Sequence, residues 1–188
     1  SFNEVFLTDV RIPDAYRVGD IGEGWKVALT VLGFERGSSN GSSRVGGNWA
    51  QAKGLAEHLN LTEDPVVRDQ LARLYSQYRI MVLNNQRVVA QTKAGQAPGP
   101  EGSISKMIWV KSMNLMSDVI TKMLGPRITA DTGEWGTYEW NEHLLGAPGY
   151  RIAGGSDEIQ RNIVGERVLG LPGEPRVDKN IPYKDVLK

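Results

Sequence analysis

Six apolar side chains, Val67, Leu71, Leu74, Tyr78, Met81 and Val88, recur at spacings of three, four and seven residues. Only one face of a long helix is served by that spacing. Asp64-Pro65 supplies its start, an N-cap acceptor followed by proline at the first helical position, and Ala94-Gly95 its end. Past the connector Pro98-Gly99-Pro100-Glu101-Gly102, a second such face runs through Ile104, Ile108, Leu115, Val119 and Met123 and stops at Gly125-Pro126. Two helices of this length must bury their apolar sides on each other and on further helices, so the expected fold is an all-α, antiparallel four-helix-bundle-like domain.

The flanks fill in the remaining elements. Phe2 to Val10 is rich in apolar residues and precedes Pro13, which predicts a short N-terminal β-strand. From Trp25 a helical pattern passes through Val27, Leu29, Val31 and Leu32 to Phe34. Gly37 to Gly47 is the least helix-like stretch: its four glycines, at about 1 kcal/mol each relative to alanine, would cost a helix roughly 4 kcal/mol. Propensity alone makes it a flexible linker. Arg127 to Gly149 is mixed and aromatic, with a short helix expected around Trp140 to Leu145. Ser156 opens a last helix, with Asp157 and Glu158 in the first turn where the macrodipole favours negative charge, and that helix should reach Val168. Beyond Leu171-Pro172-Gly173 the tail is polar and punctuated by proline.

Composition narrows the function classes. Lysine plus arginine balances aspartate plus glutamate at 22 each, so no charge excess points to nucleic acid or an anionic membrane surface. The absence of cysteine removes disulfides, thiolate metal sites and cysteine nucleophiles, and fits a cytoplasmic protein. No apolar run approaches the roughly 20 residues a membrane span needs. Because Ser1-Phe2-Asn3-Glu4-Val5 reads as an interior strand with no initiator methionine, the chain is expected to be part of something longer.

Several strings together resemble one family. Phe2-Asn3-Glu4-Val5-Phe6-Leu7-Thr8-Asp9-Val10-Arg11-Ile12-Pro13, Gly22-Glu23-Gly24-Trp25, Phe34-Glu35-Arg36 and Ile152-Ala153-Gly154-Gly155-Ser156-Asp157-Glu158-Ile159-Gln160 are similar to the C-terminal half of flavin-dependent acyl-CoA dehydrogenases, and the run Ile159 to Gly170 matches over its length. The resemblance implies the end of a middle β domain and linker at 1–20, a C-terminal helical bundle domain at 21–170 and an irregular tail at 171–188. It makes residues 37–47 the middle of a long helix, its small side chains answered by a close helix neighbour or a bulky ligand. It implies α,β-dehydrogenation of an acyl-CoA thioester with FAD, an electron-accepting flavoprotein or its equivalent as partner, and assembly as a homodimer or homotetramer, or a hetero-oligomer. The fragment alone is expected to be inactive.

The site residues follow from the same resemblance. Short- and medium-chain members carry the catalytic glutamate where this chain has Gly154, whereas isovaleryl- and long-chain members carry it at the position of Glu35. Glu35 is therefore the expected base, with Arg36 beside the acyl pocket. Without the resemblance, a glutamate next to an arginine on a helix reads as a solvated ion pair worth about 0–1 kcal/mol. Gly154 keeps a backbone N–H, which the family uses with a flavin ribityl hydroxyl to polarise the thioester oxygen, as an oxyanion hole would. Gly155 matches a substrate-contacting glycine, and Ser156, Glu158 and Gly125 match positions that contact FAD. Alone, Gly154-Gly155-Ser156 reads as an ordinary glycine turn into an N-cap.

Two departures weigh on the flavin assignment. An arginine that grips the FAD pyrophosphate across a subunit interface in many members has no counterpart in Leu55 to Asp64, and the later glycine-rich turn that also meets FAD is reduced to Lys122-Met123-Leu124-Gly125-Pro126; Glu158 stands where many members have glutamine. The alternative is thus a non-catalytic helical subunit, or a domain of a hetero-oligomeric acyl-CoA dehydrogenase, in which Glu35 is incidental.

Overall fold

The computed structural model describes residues 3–35, 47–96, 99–176, 178, 181–182 and 185–186, with the side chains of Phe34, Glu35 and Tyr138 outside the described set. Among these residues every regular element is helical. The chain runs through α1 (Gly24–Glu35), α2 (Trp49–His58), α3 (Pro65–Lys93), α4 (Gly102–Leu124), α5 (Thr137–Gly146) and α6 (Asp157–Ile163), which continues as a π-helical turn, Val164–Val168.

Local chemistry fixes the ends. The Asp64 carboxylate accepts from the N–H groups of Val66 and Val67, with Pro65 occupying the first turn where its missing donor costs nothing. Gly125, at φ +54°, closes α4 where sequence places its stop. At α2 a capping box does the work: Asn48 Oδ1 accepts from Gln51 N–H at 3.0 Å while Gln51 Oε1 accepts from Asn48 N–H at 2.8 Å.

α4 is the central helix, packed against α2, α3, α5 and α6. α3 and α4 form the long hairpin, tied by Asn84 Nδ2 donating to Ser105 Oγ at 2.7 Å. α2 lies across it through Trp49, whose indole N–H reaches Leu71 O at 3.2 Å and whose ring meets Tyr75 at 4.8 Å. The core gathers Leu55, Leu74, Met116, Val119, Ile120, Met123, Ile128 and Trp140. On α4 the buried face is wider than the sequence stripe: Val110, Met113, Met116 and Ile120 join Val119 and Met123, because a helix with neighbours on several sides buries more than one row.

One expectation is corrected and one is not addressed. No strand forms over 3–10; a strand needs a neighbour for its N–H and C=O groups, and none exists among the described residues. Its apolar side chains stay largely exposed, with Val5, Phe6 and Leu7 between 75 and 84 %. The helical reading of 37–47 lies outside the described residues except at Gly47, which is not helical and leads into the Asn48 cap. Gly47 nonetheless has a packing reason to be glycine. A Cβ there would stand 2.2 Å from the Trp140 indole.

Candidate active site

The turn at Gly154-Gly155 is built by three elements. A 3-10 turn, Ala147–Arg151, brings the chain alongside α4, where the Tyr150 ring packs on Trp109 at 4.3 Å between centroids. The chain then bends through Gly154 at φ +67° and Gly155 at φ +97°, a left-handed pair that glycine adopts without the steric cost other residues bear. Ser156 caps α6, its hydroxyl accepting from Ile159 N–H at 3.4 Å.

Both glycine carbonyls are held from within the protein. Gln160 Nε2, on a side chain only 1 % exposed, donates to Gly154 O at 2.8 Å. Lys106 Nζ reaches from α4 to donate to Gly155 O at 2.7 Å, and also lies 3.5 Å from Arg151 O and 3.6 Å from Asp157 Oδ1. Asp157 is buried and takes a 2.8 Å bond from Arg151 Nε. That guanidinium, aided by the Lys106 charge, holds the Asp157 carboxyl below its ordinary range against the opposing effect of burial. Glu158 is lowered too, by its own backbone N–H and the Ser156 hydroxyl; its side chain is exposed and pairs with Arg161 at 3.8 Å. Both carboxylates are ionised at neutral pH and poor proton acceptors. On the outer side of the turn, no backbone partner is found among the described residues for the N–H groups of Gly154, Gly155 and Ser156. A Cβ at Gly154 would meet nothing within 4 Å, whereas one at Gly155 would strike Gln160 Nε2 at 2.5 Å.

Of the residues expected at the site, Gly154, Gly155 and Ser156 are contiguous on this turn, and Glu158 follows in the first turn of α6. Gly125 is not with them: it closes the far end of α4, 19 residues beyond Lys106, about 28 Å along the helix axis. Glu35 is the last residue of α1, and its side chain, like the whole of Arg36, lies outside the described residues. Lys106, Arg151 and Gln160 were not singled out by sequence. Nothing in a lone lysine on an amphipathic helix signals a partner 49 residues away. A separate cavity of about 260 Å³, lined by Trp49, Leu74, Tyr78, Trp109, Met113 and Met116, sits between α2, α3 and α4 and does not include the glycine turn.

The family described as acyl-CoA dehydrogenase, C-terminal domain, matches residues 22–169. Acyl-CoA dehydrogenase IpdE1 of Mycobacterium tuberculosis (strain ATCC 25618 / H37Rv) is 34% identical over 178 residues, covering 93% of this chain and 45% of the relative. Acyl-CoA dehydrogenase FadE34 of the same organism is 29% identical over 171 residues, 91% of this chain and 23% of the relative. In structure the chain is similar to the Tcur3481-Tcur3483 steroid ACAD, with a TM-score of 0.74 at 23% identity over 90% of this chain and 45% of that one. The chain thus spans less than half the length of the relatives named here. It belongs to the acyl-CoA dehydrogenase family, over that family's C-terminal domain.

Proposed function

We propose that this chain is the C-terminal domain of an FAD-dependent acyl-CoA dehydrogenase, and that Glu35 removes the α-proton of a bound thioester. The observation that carries the reading is the glycine turn: its carbonyls are held inward, its N–H groups have no backbone partner, and no side chain stands at position 154. Such a turn offers preorganised donors to a thioester oxygen as it gains enolate character, with no side chain in the way. A base must then come from elsewhere, since Gly154 has none to give and Asp157 and Glu158 are held ionised by their neighbours. Glu35, at the end of a helix whose preceding turn holds Leu32 and Gly33, is the residue the family places there.

FAD would supply the acceptor for the hydride leaving the β-carbon. The turn fits its polar portion in donor chemistry, because the one buried carboxylate nearby, Asp157, is neutralised by Arg151 and Lys106. Ser156 would lie against the cofactor there, with Glu158 at the edge of the contact. Gly125, at the opposite end of α4, would serve a second cofactor in an oligomer. Those 28 or so ångströms along α4 also support the second reading, a helical subunit of a hetero-oligomer in which only some flavin sites are complete. A bulky acyl group is the substrate class favoured by the small residues that follow Glu35, and a steroid-bearing thioester, in view of the structural neighbour's name, is the first to try.

The full-length protein carrying Glu35→Gln tests the assignment. It should keep FAD and thioester binding and lose α-proton abstraction by about 10²–10⁴-fold, measured as exchange of the substrate α-proton in deuterated buffer. Exchange at the wild-type rate would end the assignment of Glu35.

A further inference from the structure

Lys106 has a low exposure for a lysine, 15 % for its side chain, and an ammonium placed so deep needs partners. Its partners all belong to the segment that forms the glycine turn: Gly155 O at 2.7 Å, Arg151 O at 3.5 Å and Asp157 Oδ1 at 3.6 Å. Gln160 holds the adjoining carbonyl, Gly154 O, at 2.8 Å. In a trans peptide the N–H points opposite to the C=O of the same plane, and no cis peptide occurs among the described residues. Fixing Gly154 O thus aims the Gly155 N–H outward, and fixing Gly155 O aims the Ser156 N–H. Glycine pairs at positive φ have wide torsional freedom, so the aim of these donors is set by what grips them rather than by the local backbone.

The two grips differ in kind. Gln160 lies on α6, a few residues from the turn. Lys106 lies on α4, the central helix, and its charge-assisted bond is the stronger type. It also polarises the Gly155–Ser156 peptide from behind, which strengthens the N–H on the other side. One helical turn along α4 from Lys106, Trp109 packs on Tyr150, so the same face of α4 braces the turn at two points.

We propose that Lys106 is a positioning residue for the reaction, anchoring the thioester-facing glycine turn to α4 and aiming the Ser156 N–H, as Gln160 aims that of Gly155, beside the N–H of Gly154. The inference rests on the dehydrogenase reading, and its test separates the two. In the full-length protein, α-proton exchange in deuterated buffer is followed with a 3-thiaacyl-CoA, which can lose an α-proton but has no β-hydrogen to give. Lys106→Met should slow exchange by about 10–100-fold, the scale of a misaimed oxyanion donor, with Kd for the thioester within about threefold of wild type. Lys106→Arg, which keeps the charge and donors, should recover most of the loss. Gln160→Leu, with the weaker local grip removed, should slow exchange less than Lys106→Met.

Wild-type exchange in Lys106→Met overturns the role of Lys106 and leaves the dehydrogenase reading intact. Absence of exchange in the wild-type protein overturns both. Should Lys106→Met fail to fold, Lys106→Gln decides at normal flavin content and melting temperature: slowed exchange with thioester affinity kept supports the role of Lys106, and exchange at the wild-type rate, or a loss of affinity in parallel with rate, overturns it.

Discussion

The helix that ends at Glu35 and the turn at Gly154-Gly155 are the two halves of the proposed site, and they are secured in opposite ways. The turn is gripped by Lys106 and Gln160 and braced by the Trp109–Tyr150 pair, on the body packed around α4. α1 leaves Trp25, Leu29, Val31 and Leu32 between 45 and 76 % exposed, and the segment before it leaves Val5, Phe6 and Ile12 between 72 and 84 % exposed. So much apolar surface in one stretch is what a protein covers with another domain or another copy. The donor half of the site is preorganised by this chain alone, and the base half depends on what α1 packs against. A proton-transfer geometry assembled from one fixed and one borrowed wall would be tuned at the borrowed one.

The largest effect that tests this contrast is on stability. Leu74 is 2 % exposed in the core, and Leu74→Ala should destabilise the chain by about 2–5 kcal/mol in urea unfolding. Leu29, half exposed on α1, should lose no more than about 0.5 kcal/mol on the same truncation. Equal losses would mean that α1 is as much part of the cooperative unit as the core. In the assembled full-length protein the Leu29 value should rise toward the core value, because burial against a partner surface adds the missing transfer term.

The same contrast explains what could be read from sequence. Asp64-Pro65, Gly125 and Ser156 were legible because caps and stops act within three or four residues, and the side chains that make them do so in nearly any context. The α3 stripe was legible in its spacing, although Tyr78 turned out 38 % exposed, lining a cavity instead of filling the core. The strand over 2–10 was not legible as it stands, because strand propensity describes a side-chain pattern and the ladder is made by another strand. The Lys106 grip was invisible for a related reason: it depends on α4 meeting a turn 49 residues later, a tertiary fact with no local motif. For Glu35 and Arg36 the resemblance supplied a role that the described side chains do not address.

A smaller effect concerns acidity within the packed body. His143 is 1 % exposed, and its Nε2 lies 3.1 Å from Ser117 Oγ. Since the Ser117 proton goes to Met113 O, the hydroxyl oxygen accepts from an Nε2–H, which leaves Nδ1 buried with no hydrogen-bond partner. Burial lowers the His143 pKa, with the Met113 carbonyl opposing more weakly. The folded pKa thus lies below the unfolded value of about 6.5, and the unfolded state binds more protons between the two. Stability from the neutral ring is complete above pH 6.5 or so and drains away as pH falls through the folded pKa. Thermal unfolding from pH 7.5 to 5 should show a falling melting temperature, and His143→Gln should flatten that slope. An unchanged slope in the variant would move the acid sensitivity to other groups.

The smallest effect belongs to the turn itself and separates strain from space. Alanine at 154 would meet nothing within 4 Å, so the only penalty is a left-handed φ of +67°, worth about 1 kcal/mol for a residue with a Cβ. Alanine at 155 bears a similar torsional penalty and also pushes the Gln160 amide, 2.5 Å away, off Gly154 O. Gly154→Ala should therefore leave the grip on the turn unchanged and lower stability slightly, while Gly155→Ala should cost more and loosen the donors. The pair can be ranked by chemical denaturation, with the NMR signals of the Gln160 side-chain amide reporting the loosening. Should the two variants cost the same and leave those signals alike, Gln160 is not holding the turn, and the contrast between a gripped donor side and an ungripped base side loses one of its two anchors. If Gly154→Ala alone is tolerated, Gly154→Glu combined with Glu35→Gln becomes a fair trial of whether a base can be moved from one wall to the other.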